Sequence, residues 1–161
     1  MIAEQMSHAP LHAFYTNDPQ AMLSELNART EKGGNRIVIH ETWETIPYLT
    51  LRENLFLGLP RRQRNQLQFS TYLKLLNFRE EILQRPLAAL TGFEMLRLQI
   101  LQQLLRQPEI LIFQDVTIRL TIKENQELLY LAGLLSRQLG IEILFITSDP
   151  SFAASVSQMN D

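Results

Sequence analysis

The sequence contains no cysteine among its 161 residues. This absence excludes disulfide bonds, a thiolate zinc site and a cysteine nucleophile. No stretch approaches the roughly 18 consecutive apolar residues of a membrane-spanning helix, and residues 1–10 lack the basic start and apolar run of a secretory signal. We therefore expect a cytoplasmic protein that meets the membrane only through a partner or through its surface.

Strong charge of either sign is also missing. The net charge of -2 argues against a generic polyanion binder, and we expect no nucleic-acid partner. Arg61, Arg62 and Arg64 form a local basic corner, which we interpret as the solvated start of a helix. The alternative is contact with an acidic partner or an anionic lipid surface.

The pattern of apolar residues predicts an α/β domain, because short apolar runs alternate with longer amphipathic stretches. We predict strands at residues 11–15, 36–40, 109–113 and 141–147. A helix is predicted from Asp18 and Pro19 to about residue 31, and residues 51–78 are predicted to be helical with a break at residues 58–60.

Two further helices carry capping boxes, in which a threonine caps the helix and a glutamate reaches back. The pairs are Thr91 with Glu94 and Thr121 with Glu124. The second of these helices is predicted to end at Gly140, since glycine favours the left-handed conformation that terminates helices.

Four segments between residues 36 and 157 resemble, in order and spacing, the ATPase domains of ABC transporters. They correspond to the segment after the family's Q-loop, its LSGGQ signature, its Walker B strand and its switch strand. The segments are residues 47–55 (PYLTLRENL), 90–94 (LTGFE), 107–115 (QPEILIFQD) and 144–149 (LFITSD).

This resemblance implies a P-loop-NTPase-like, mostly parallel sheet flanked by helices, with an ABC-type helical subdomain inserted and the N-terminal β-subdomain truncated. It implies one domain in which residues 1–10 are a tail, residues 11–49 and 91–161 form the α/β core, and residues 50–90 form the helical subdomain.

The sequence departs from this family where nucleotide would bind. It has no GxxxxGK[ST] motif, whose glycines and lysine cradle a triphosphate. The equivalent turn is formed by Asn17, Asp18 and Pro19. An Asp18 carboxylate that caps the helix would repel phosphate, and Pro19 removes an N–H donor.

The positions of the family's catalytic groups differ as well. Gln114 replaces the magnesium-supporting aspartate, Asp115 the catalytic glutamate, Ser148 the switch histidine and Glu41 the Q-loop glutamine. The neutral amide of Gln114 is a poorer partner for hydrated Mg²⁺ than a carboxylate, and Asp115 keeps the charge but loses a methylene of reach. Glu41 would add a negative charge near a γ-phosphate. The signature is altered too, with Phe93 in place of its second glycine; its residues here are Thr91, Gly92, Phe93 and Glu94.

We therefore expect a non-catalytic, pseudo-ATPase subunit without cofactor or metal, which docks on a membrane permease or on an active ABC ATPase, with a dimer possible. In the family the helical subdomain receives a transmembrane subunit, so the candidate docking residues are Trp43, Tyr48, Arg52, Glu53 and Phe56. For Trp43, which is also one of the aromatic residues predicted to pack in a core, the alternative is an exposed position that contacts a partner. The alternative is an ATP-binding subunit whose low-affinity ATP/Mg site is completed by a partner chain.

Other candidate sites have simpler interpretations. His8 and His12 have the spacing of helical metal ligands, but Pro10 lies between them and we assign them no metal. His40 is interpreted as a structural residue at a strand end. The aromatic residues at helical spacing are predicted to pack in a core rather than to stack on nucleic acid; they are Trp43, Tyr48, Phe56, Phe69, Tyr72 and Phe78.

Overall fold

The computed structural model describes residues 11–29 and 35–159. Its strands are β1 (Leu11–Tyr15), β2 (Arg36–Ile39), β3 (Ile110–Gln114) and β4 (Glu142–Thr147). Its α-helices are α1 (Pro19–Arg29), α2 (Leu51–Phe56), α3 (Gln66–Leu75), α4 (Gly92–Leu104), α5 (Ile122–Leu139) and α6 (Pro150–Met159). Three short 3-10 helices lie at Arg61–Gln63, Glu80–Gln84 and Leu87–Ala89.

The four strands form one parallel sheet in the order β1-β4-β3-β2. Parallel neighbours require crossover connections, which the intervening helices supply. The predicted α/β fold with a parallel sheet flanked by helices is therefore confirmed. All four predicted strands are present, each within one residue of its predicted ends.

The sheet belongs to a compact unit whose described residues are 11–29, 35–41 and 108–159. β3 and β4 lie in the middle of the sheet and carry runs of apolar residues, as strands covered on both faces do. Phe113 and Phe145 stack at 4.8 Å between ring centroids, and Phe152 of α6 meets Phe145 edge-on at 5.0 Å. All three rings are buried.

A second compact unit comprises residues 42–107 and is helical. Its core is apolar, and one buried amide organises the approach to α2. The side chain of Asn54, 2% exposed, donates to the carbonyls of Ile46, Leu49 and Thr50 and accepts from the Ile46 N–H. A buried amide is stabilising only when its hydrogen bonds are made, so this network fixes the loop before the helix.

The helix ends are determined by capping residues that lie close to them in the sequence. The two predicted capping boxes are present, and a third, formed by Thr50 and Glu53, begins α2. Gly140 ends α5 with φ of 67°, as predicted. The predicted helical stretch at residues 51–78 is divided into α2, a 3-10 turn and α3, and Gly58 adopts φ of 74° at the break.

The boundary between the two units differs from the one predicted from the sequence. Helix α4 packs against α2 and α3 and lies in the helical unit, whereas residues 91–107 were predicted to belong to the α/β core. Among the described residues, none of the helices combines the length and apolar character needed to cross a membrane.

Candidate functional site at the carboxyl edge of the sheet

The carboxyl ends of all four strands lie at one edge of the sheet, because the strands are parallel and nearly in register. Tyr15 pairs with Thr147, and Gln114 with Ile146. In open α/β sheets this edge is where ligands bind. The strand ends and the segments that follow them contain the positions singled out in the sequence: Asn17, Asp18, Pro19, Glu41, Gln114, Asp115 and Ser148.

The turn after β1 is short, and its backbone and side-chain groups form hydrogen bonds with each other and with the end of β4. The Thr16 N–H donates to the Thr147 carbonyl at 2.9 Å, and the Asp18 N–H donates to the Thr16 hydroxyl at 3.1 Å. The Asp18 carboxylate accepts from the Ala21 N–H at 3.1 Å, and Pro19 is the first residue of α1. The predicted cap by Asp18 is therefore confirmed.

Asp115 is bonded to Ser148. Its Oδ1 accepts from both the Ser148 N–H at 3.0 Å and the Ser148 hydroxyl at 2.9 Å. Gln114, the preceding residue, directs its side-chain amide to the Gln20 side chain at 3.5 Å. The sequence analysis did not identify Gln20.

Glu41 forms an ion pair with Arg119 of the loop between β3 and α5, at 2.5 Å between Oε1 and Nε. Glu41 was expected to add a negative charge to the edge, but its carboxylate is paired with the Arg119 guanidinium. No local pattern in the sequence could have revealed this pair, because the two residues meet only through the pairing of β2 with β3.

Two buried threonines, Thr117 and Thr147, lie at this edge. Neither was predicted from the sequence to be part of the site. Their hydroxyl oxygens are 3.4 Å apart, and the Thr147 hydroxyl also accepts from the Asp149 N–H at 3.0 Å. Asp149 in turn accepts from the Ser151 and Phe152 N–H groups, so it caps α6.

The altered signature lies in the helical unit, at the start of α4. Thr91 and Glu94 form the capping box, and an ideal Cβ on Gly92 would meet no atom within 4 Å. Phe93 is buried, at 6% exposure, and its ring lies under the Arg97 guanidinium at 4.9 Å. Its side chain is therefore directed into the unit and does not cover the helix start.

The carboxyl group of Glu94 has an altered acidity. Partial burial disfavours its charged form, but hydrogen bonds from Thr91 and Arg85 outweigh that effect, and the pKa of Glu94 is lowered below its usual value. The Arg85 contact is 2.7 Å long and the Thr91 N–H contact is 2.9 Å.

A surface groove of about 360 Å³ lies in the helical unit and brings together three of the predicted docking residues, Arg52, Glu53 and Phe56. Its remaining lining residues are Leu49, Leu57 and Arg64. The Arg52 guanidinium lies 5.1 Å from the centroid of Phe56 and donates to Gln66 at 2.9 Å.

The basic corner is only partly available to a partner. Arg64 donates from Nε to the Leu59 carbonyl at 2.9 Å, and it lies 5.9 Å from the Phe56 ring. Arg61 and Arg62 are exposed on a 3-10 turn.

Trp43 occupies the predicted core position, and the alternative of an exposed Trp43 is wrong. Its side chain is 7% exposed, and its indole N–H donates to the Gln102 side chain at 3.0 Å. Tyr48, in contrast, is 86% exposed. Four of the six aromatic residues predicted to form a core are buried, namely Trp43, Phe69, Tyr72 and Phe78.

The histidines do not assemble a metal site in the part of the chain that the structure describes. His12 lies on β1 with its Nε2 at 3.5 Å from Glu142, and His8 is outside the described residues. Within residues 11–29 and 35–159, no three histidine, aspartate or glutamate side chains are grouped so that they could hold a metal ion. His40 is exposed at the end of β2.

Solved structures share this architecture. The chain matches cbiO1 from Clostridium perfringens, part of the ABC transporter complex cbiONQ, with a TM-score of 0.73 over 92% of this chain and 71% of that one, at 15% identity. It matches a metal-chelate type ABC transporter in an inward-facing conformation with a TM-score of 0.71, over 91% of this chain and 64% of that one, at 13% identity. The fold is thus an ABC ATPase-like α/β fold.

Sequence relatives agree. The chain is 27% identical over 123 residues to the spermidine/putrescine import ATP-binding protein PotA of Protochlamydia amoebophila, covering 74% of this chain and 33% of the relative. It is 33% identical over 101 residues to the molybdenum import ATP-binding protein ModC of Mannheimia succiniciproducens, covering 63% and 28%. No protein-family model matches the chain. The sequence relatives support assignment to the ATP-binding domains of ABC transporters, and the solved structures show the shared fold. The chain spans about a third of the length of the curated relatives it matches.

Proposed function

We propose that this chain is a non-catalytic, ABC-type subunit that docks on a membrane permease or on an active ABC ATPase, as a structural or regulatory component of a transporter. The observation that carries the proposal is that the polar side chains at the carboxyl edge are bonded to other groups of the protein. Asp115 bonds Ser148, Glu41 pairs with Arg119, and Asp18 caps α1.

These residues do not fit a magnesium-bound triphosphate. Such a ligand needs a glycine-lined run of backbone N–H groups, a lysine, and a carboxylate that supports the metal. Here the Asp18 carboxylate lies where an anion would bind the helix N-terminus, and Pro19 supplies no donor. Gln114 offers only a neutral amide. We therefore assign no step of ATP hydrolysis to this chain.

The groove in the helical unit supports the docking part of the proposal. Leu49, Phe56 and Leu57 give it an apolar lining, while Arg52 and Glu53 place charges of both signs beside it. Amphipathic helices bind in grooves of this kind through apolar side chains, with polar contacts that set their orientation. A permease segment that enters the groove would hold the chain at the inner face of the cell membrane.

Site-specific photo-crosslinking in membranes of the source cells tests docking. The cross-linking amino acid replaces Leu57, which is 45% exposed in the groove, and in the matched control it replaces Tyr130, which is 64% exposed on α5. A product with a permease or an ABC ATPase from position 57, and none from position 130, supports the proposal. If membranes that contain the chain give no such product from position 57, the docking proposal is contradicted.

A second candidate function is that of an ATP-binding subunit whose site is completed by a partner chain. The open space at Gly92 favours it, because a partner's nucleotide could approach the start of α4 there. Thermal unfolding with Mg-ATP distinguishes the two candidates. A ligand at 100 times its dissociation constant adds about 2.7 kcal/mol of stability, so an unchanged Tm with the chain alone and beside an ABC ATPase excludes the second candidate.

A further inference from the structure

The contact between Asp115 and Ser148 joins two neighbouring strands at their carboxyl ends. One carboxylate oxygen of Asp115 receives two hydrogen bonds from Ser148, at 3.0 and 2.9 Å. Hydrogen bonds to a charged acceptor are stronger than neutral ones, and these are partly buried. The two bonds therefore restrain the end of β3 against the end of β4.

The backbone of Asp115 is arranged for this contact. Its φ is 50°, in the left-handed region that aspartate adopts more readily than most residues. Its N–H donates to the Ile146 carbonyl at 2.7 Å. The backbone N–H of Asp115 therefore bonds β4, and its side chain bonds the segment that follows β4.

The same network reaches a third strand. The Thr147 carbonyl accepts from the Thr16 N–H at 2.9 Å, and the Thr147 hydroxyl lies 3.4 Å from that of Thr117. The ends of β1, β3 and β4 are consequently linked by hydrogen bonds.

We propose that Asp115 and Ser148 form a clasp that orders the loop between β3 and α5 and fixes it against the end of β4. The inference rests on the proposed non-catalytic function and specifies how its site is organised. Asp115 is a positioning residue in this arrangement: its carboxylate orders the chain from Asp115 to Thr121, where α5 begins, instead of activating water.

Hydrogen exchange followed by mass spectrometry tests the clasp, on peptides that cover residues 113–121 and 145–150. The variants are Ser148→Ala, which removes the hydroxyl and keeps the backbone N–H, and Asp115→Asn, which keeps the shape and removes the charge. Ser155→Ala is the control, since its hydroxyl bonds only within α6. We expect exchange in both peptides to rise about tenfold in the two clasp variants, and Tm to fall by about 2–6 °C, with the control unchanged.

Asp115→Gly separates the clasp from backbone strain. Glycine accepts the positive φ without steric strain but lacks the carboxylate. A variant that exchanges as fast as Asp115→Asn supports the clasp, whereas one that exchanges like the unmodified protein overturns it.

Adding Mg-ATP to the same samples keeps the two proposals apart. Fast exchange in the clasp variants together with an ATP-dependent rise in Tm would sustain the clasp and contradict the non-catalytic function. Unchanged exchange in Ser148→Ala and Asp115→Asn, with no effect of ATP, would overturn the clasp alone.

Discussion

Arg119 and Glu41 form an ion pair, 2.5 Å from Nε to Oε1, that joins the loop after β2 to the loop after β3. The two strands are hydrogen-bonded neighbours, which brings their following loops together. A position expected to carry uncompensated negative charge is therefore paired. Because the Arg119 side chain is 71% exposed, solvent screens the interaction.

Replacing Arg119 with alanine should consequently have a small effect on the stability of the protein. We expect a loss of at most about 1 kcal/mol in the free energy of unfolding at low salt. The loss should be smaller near 1 M salt, where the Debye length falls to about 3 Å and the exposed pair is more strongly screened. Urea denaturation at both salt concentrations measures this loss of free energy. Lys123→Ala is the matched comparison, because it removes a second exposed cation of the same unit. A loss that does not depend on salt would contradict this account.

Glu94 should make the stability of the helical unit depend on pH. Its folded pKa is lowered, so its contribution is fully present above the unfolded value of 4.5 and is lost as pH falls below 4.5 through the folded pKa. The difference in unfolding free energy between the unmodified protein and Glu94→Gln should therefore shrink on going from pH 7 to pH 3. Chemical denaturation at each pH gives this difference, and a constant difference would refute the assignment.

Gly140 and Gly92 should respond differently to alanine, although neither position would bring a Cβ within 4 Å of another atom. Gly140 has φ of 67°, which an L-residue adopts at a cost of roughly 1–2 kcal/mol. Gly92 is the first residue of α4 and has no positive φ. We expect Gly140→Ala to lower Tm by several degrees and Gly92→Ala to leave it nearly unchanged, as measured by circular dichroism. Equal effects would mean that the backbone conformation is not the cause.

Trp43 is the one tryptophan of the sequence, and its burial gives the helical unit a fluorescent reporter. We expect blue-shifted emission and weak quenching by iodide in the folded protein, because the ring is 7% exposed. Gln102→Leu removes the acceptor of the indole N–H and should cost about 1–3 kcal/mol, since a buried donor is left unsatisfied. Strong quenching of the folded protein would show that the indole is accessible.

Much of the fold followed from local patterns. Consecutive apolar residues predicted β3 and β4, and the T-x-x-E spacing predicted the starts of α4 and α5. The same spacing at Thr50 and Glu53 was present but was not recognised as the start of α2. These features are accessible because strand burial and helix capping depend on residues within a few positions of one another.

The hydrogen-bond partners of Trp43, Glu41, Asp115 and Gln114 could not be obtained in this way. Spacing predicted a core position for Trp43, but its partner Gln102 lies in α4, far along the sequence.

By itself, then, the sequence determined the parallel α/β architecture, the helix caps, and which residue types stand at the ends of the strands. Only the tertiary structure decided what those end residues contact. Their partners, Arg119, Ser148 and Gln20, come from other segments of the chain. The physical reason is that apolar periodicity and capping act over a few residues, whereas charge compensation and hydrogen bonding at a sheet edge depend on strand order.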